Sequence, residues 1–107
     1  MAAGSRLASL GPTSVDETFA FGPREIDRLA RAVARRLGEP RRRIDSPDEI
    51  RRALADALGD WIGSGSIGVV RLPAALQTPE SWHVTLTGVS SDARDEMERM
   101  AEEARDG

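Results

Sequence analysis

SPDEIRRALADALGDWI, residues 46–62, is the stretch on which the fold turns. Ser46 reads as a helix N-cap, Pro47 suits the first helical position, and Glu49, three residues on, completes a capping box. At about 100° per residue, Ile50, Leu54, Ala57, Leu58 and Trp61 share one face. Asp48, Glu49, Arg52, Asp56 and Asp60 share the other. An apolar stripe of this kind needs other elements packed on it. Gly59 costs about 1 kcal/mol against alanine inside a helix. The regular helix is therefore expected to stop at Leu58, with Trp61 and Ile62 folded over as a final turn.

Upstream, Pro23 to Leu37 reads as a second amphipathic helix. Ile26, Leu29, Ala30, Val33 and Leu37 form its apolar face, and Arg24, Arg28, Arg31 and Arg35 lie almost opposite. Gly38 suits a left-handed C-cap. Phe21 is placed as a hydrophobic staple to Ile26, with Gly22 at the N-cap and Glu25 at N3. Thr18–Phe21 (TFAF) also fits a short strand. Residues 39–45, EPRRRID, form a connector in which Ile44 tucks inward, and residues 1–17 read as a disordered lead.

Downstream, Gly63–Ser66 is a turn, and Ile67–Leu72 is β-prone up to Pro73. Residues 73–81 are long for a hairpin loop. Trp82–Val89 alternates, with Trp82, Val84 and Leu86 on one side and His83, Thr85 and Thr87 on the other. Ser90 or Ser91 opens a last, acidic helix with a narrow stripe of Ala93, Met97, Met100, Ala101 and Ala104. The expected architecture is a small single α+β domain over residues 18–107, ordered (β)ααββα. Two amphipathic helices precede a short antiparallel sheet and a C-terminal acidic helix. Because a two-stranded sheet alone is marginal, either Thr18–Phe21 or another chain supplies a third strand.

Composition narrows the function. With 107 residues, 39% hydrophobic and 31% charged, the chain fits one modest globular core. No apolar run reaches the roughly 20 residues of a membrane span, and residues 1–15 lack a secretory apolar block. Cysteine is absent, which excludes disulfides and thiol chemistry. These features together lead to a cytoplasmic expectation. All 15 basic residues are arginine, so no P-loop or Schiff-base lysine exists. Charge is uneven: residues 24–52 carry ten arginines against six acids, net +4, and residues 92–106 carry three against seven, net −4.

Gly63, Gly65 and Gly68 match G-x-G-x-x-G, and Val70 extends the match to the kinase glycine-rich pattern. The order is wrong for both: a dinucleotide loop follows a strand and opens a helix, whereas this one follows a helix and opens a strand. The loop reads as a turn. His83, the one histidine, falls on the wet side of its strand with no acid–base partner in the pattern. No catalytic residue, cofactor or metal site is implied.

The reading that remains is a non-catalytic interaction or assembly module, a homo-oligomer or an accessory subunit. Its expected contacts are Trp82 and Leu86, through strand pairing at Trp82–Val89, and Arg28, Arg31, Arg35, Arg41, Arg42 and Arg43, through charge. The partner is self or another protein, not a membrane. Strand pairing predicts association that resists salt. The alternative is a nucleic-acid-binding regulator using the arginine-rich helix pair 24–52, a pattern loosely like a winged helix. Its weakness is an acidic whole, with pI about 5.2.

Overall fold

A computed structural model describes residues 14–38 and 46–106. Its elements are β1 (Val15–Phe21), α1 (Pro23–Leu37), α2 (Pro47–Leu58), a 3-10 turn (Gly59–Ile62), β2 (Ser66–Leu72), β3 (Ser81–Val89) and α3 (Ser91–Asp106). The order is βααββα, and the strands form one antiparallel sheet, β1-β3-β2. The chain therefore supplies its own third strand. Residues 1–13 of the expected lead, and the connector 39–45 with Ile44, lie outside the described residues.

The caps explain the helix boundaries. Ser46 Oγ accepts from the Glu49 N–H at 3.2 Å and donates to Glu49 Oε1 at 3.0 Å. Gly22, having no side chain, makes half a capping box: its N–H donates to Glu25 Oε1 at 2.8 Å. Gly38 closes α1 in the left-handed region, φ 70°. Gly59, φ 54°, ends α2, and the 3-10 turn that follows leaves Trp61 exposed. Helical spacing alone puts Trp61 on the apolar face; the change of helical pitch rotates it out of the stripe.

The helices cover one face of the sheet. Phe19, Phe21, Trp82, Val84 and Leu86 point into a core shared with Ile26, Leu29, Val33, Ile50, Leu54, Met97 and Met100. Thr18, Ala20, Gly68, Val70, Leu72 and Thr87 are exposed on the other face.

Strict alternation fails at one end of β3. Val15 pairs with Val89 and Glu17 with Leu86, so three steps of β3 oppose two of β1. The extra residue sits at Gly88, φ 64°, and turns Val89 into the core. Asp16 Oδ1 accepts from the Gly88 N–H at 2.7 Å. This pairing carries β1 back to Val15, three residues before the expected start at Thr18. The loop after β2 is shortened by an Ala75–Thr78 bridge, which places Leu76 fully exposed at the hairpin tip.

Candidate interaction surface

The expected contact residues divide into three groups. Trp82 and Leu86 are 6% and 0% exposed and pack beneath the helices. Their strand is the middle one, with β1 and β2 on its two sides. This corrects the sequence reading: β3 has no unpaired edge, and neither side chain is offered to a partner. Trp82 is further held by its indole N–H, which donates to Glu80 Oε2 at 2.9 Å. Arg71 donates to the other oxygen of Glu80 at 2.8 Å and lies over the Trp82 ring at 5.8 Å. The Arg71 bond, then the Trp82 bond, holds the Glu80 carboxyl below the usual carboxylate range.

Arg28, Arg31 and Arg35 are engaged within the chain. Arg31 pairs with Asp27 one turn earlier at 2.9 Å, and Arg28 donates to the Ala104 carbonyl at 3.4 Å. Arg35 reaches Glu103 of α3 at 3.0 Å. The neighbouring Arg36, absent from the expected contacts, is the hub of this packing. Its Nε meets Glu96 and its Nη2 meets Glu103, both at 2.6 Å. Arg36 first, and Arg99 and Arg35 after it, hold the Glu96 and Glu103 carboxyls below their ordinary range. The acidic last helix thus pairs with Arg35 and Arg36 of the basic first helix within one chain. Arg41, Arg42 and Arg43 lie outside the described residues.

Of the three glycines in the motif, Gly65 is held by close packing. A Cβ on Gly65 would lie 2.6 Å from the Gly88 carbonyl oxygen and 2.7 Å from that of Thr87. The space a phosphate would need beside Gly65 is filled by the chain itself. His83 is half-buried beside Ser81, with Nε2 and Oγ 3.3 Å apart. Among the described residues, no group of three or more His, Asp or Glu side chains is gathered as a metal ion would need. A shallow concavity of about 340 Å³ lies between the first turn of α1, Ile50 and Trp82.

The two sheet edges differ. Along β1, α3 acts as a strap. Arg94 pairs with Glu17 at 2.8 Å. Three turns further on, Arg105 donates to the Ala20 carbonyl at 3.4 Å and covers the Phe21 ring at 5.4 Å. Asp16 and Glu17 add charge to that edge. Along β2, SIGVVRL, α2 packs on the strand, but among the described residues no side chain straps its outer edge: there is no proline, no register shift, and one charge, Arg71, already engaged with Glu80. The large exposed hydrophobics among the described residues are Trp61, Val70, Leu72 and Leu76; Val70 and Leu72 lie on this strand and Leu76 in the loop that follows it. The sequence reading places the open edge on β3 as a short, Thr-rich strand with few partners in its own chain; in the structure it is paired on both sides. The single charge of Ser66–Leu72 is visible in the sequence, but its position at an edge is not.

No protein-family model, no curated protein and no solved structure matches this chain. No helix among the described residues is long and apolar enough to cross a membrane.

Proposed function

We propose that this chain is a non-catalytic interaction or assembly module whose contact element is the outer edge of β2. One observation carries the reading: among the described residues the β1 edge is strapped and charged, whereas the β2 edge has no strand beside it and carries the exposed side chains of Val70 and Leu72, with Leu76 in the loop beyond. An edge of this kind takes an added strand. Main-chain hydrogen bonds supply affinity, and alternate side chains supply selectivity. The nucleic-acid alternative is weakened by Arg28, Arg31, Arg35 and Arg36 of α1, which are matched by acids and a carbonyl of the same chain.

Selection of extended peptides from a displayed library, with light scattering of the chain alone, tests the proposal. Strand addition predicts β-prone binders or self-association, in either case abolished by Val70→Arg with Leu72→Arg. These side chains are exposed, so the fold tolerates both changes. Binding that persists in the double variant, or no association of either kind, refutes the proposal.

A further inference from the structure

We infer that the occupant of the β2 edge is β2 of a second copy, paired antiparallel about Val69, so that two three-stranded sheets join into one of six strands. The inference rests on the interaction-module reading and names its partner. Three features of β2 fit the strand to itself.

The first is register. β2 runs for seven residues with Val69 at its centre. Pairing about Val69 uses the whole strand: Ser66 faces Leu72 of the second copy, Ile67 faces Arg71, Gly68 faces Val70, and Val69 faces Val69. A slip to a centre at Val70 or Gly68 shortens the overlap at both ends.

The second is charge. Arg71 is the only charged residue in Ser66–Leu72. In this register it lies opposite Ile67, and the two Arg71 side chains stand four positions apart, about 13 Å at the usual rise per residue. Like charges directly opposite each other, which destabilise a strand pair, are avoided. Arg71 is also turned towards Glu80 and Trp82 of its own chain.

The third is shape. On the open face, a Cβ at Gly68 would meet nothing within 4 Å. Val70, 56% exposed, stands two residues away on the same face. In the symmetric pair each Val70 lies over the bare backbone of the other copy's Gly68, twice per interface. On the helix face, Val69, partly buried against the core, gains cover from the other copy's Val69. Beyond the strand, Trp61 precedes β2, and Leu72 and Leu76 sit at its far end and beyond.

The chain contains no cysteine, so introduced thiols report the register directly. Light scattering at tens of micromolar is expected to give twice the 11.6 kDa chain mass, in low and high salt alike, because backbone pairing with apolar flanks is little screened. Under mild oxidation Val69→Cys should form a disulfide-linked dimer. Gly68→Cys and Val70→Cys should each stay uncrosslinked alone and should link when mixed. Val70→Arg should return the chain to monomer, since the two introduced arginines would be diagonal neighbours of like charge, about 7–8 Å apart at the backbone, and each would replace the valine seated over Gly68. A monomer at these concentrations overturns the inference, as does a dimer in which the Val70→Cys variant crosslinks on its own. A monomer that still binds selected β-prone peptides at β2 would refute the pairing and leave the module reading standing.

Discussion

Gly65→Ala separates a structural glycine from a ligand-binding one. The added methyl would sit 2.6 Å from the Gly88 oxygen, 2.7 Å from the Thr87 oxygen and 2.8 Å from the Gly88 carbonyl carbon. All three are backbone atoms and cannot rotate away, so the end of the β2–β3 pair must spread by several tenths of an ångström. Overpacking of this kind costs about 1–3 kcal/mol. The alanine recovers about 0.4–1 kcal/mol by restricting the unfolded chain, which leaves a net loss of roughly 1–2 kcal/mol. Within a single chain, at concentrations too low for pairing of copies, Gly68→Ala has the same unfolded-state gain and no clash, because nothing lies within 4 Å of its added methyl. It is expected to be neutral or stabilising by up to about 1 kcal/mol. Urea unfolding followed by tryptophan fluorescence measures both, with buried Trp82 as the reporter. With a slope of about 1 kcal/mol/M, Gly65→Ala should lower the midpoint by about 1–2 M, and Gly68→Ala should leave it or raise it. Equal midpoints for the two variants, or a stabilised Gly65→Ala, would show that Gly65 and Gly88 do not meet as described.

Leu54→Asp places an unpaired carboxylate at a fully buried position of α2. That costs several kcal/mol against a total of about 5–15 and should abolish cooperative melting; a transition within a few degrees of the parent would contradict the orientation of α2. Arg36→Gln removes the hub joining α1 to Glu96 and Glu103, at about 1 kcal/mol near neutral pH once solvent screening is counted. Both carboxyls sit below their ordinary value of 4.5 in the folded chain. Their contribution is therefore complete above that value and is lost as pH falls through the folded values. The gap between parent and variant in thermal unfolding should close on acidification, and a gap that stays constant along the whole acid limb over which the parent remains folded would exclude the mechanism. Finally, micromolar DNA and RNA at low salt should show no binding. Binding whose salt slope falls by about one for each of Arg41, Arg42 and Arg43 replaced by serine would instead establish the nucleic-acid reading.

The helices were legible in the sequence because their determinants are local. The Ser46–Glu49 cap, the left-handed Gly38 and the apolar spacing of α1 and α3 act within a turn or two of backbone. The alternation of Trp82, Val84 and Leu86 likewise fixed which side of β3 is dry. The choice of strand neighbours was not legible, since a strand's pattern states which face is buried and says nothing of which strand lies beside it. That choice placed β3 between β1 and β2, turned Trp82 and Leu86 from expected contacts into core, and left Ser66–Leu72 at an edge. The same holds for charge. Arg36 and Glu103 are 67 residues apart in the chain and 2.6 Å apart in space, so the sequence displayed two opposite charge blocks and only the packing of α1 on α3 joined them. Gly65 and Gly88 meet for the same reason: a turn places the first and a bulge the second, and a contact between them exists only once β2 and β3 have paired.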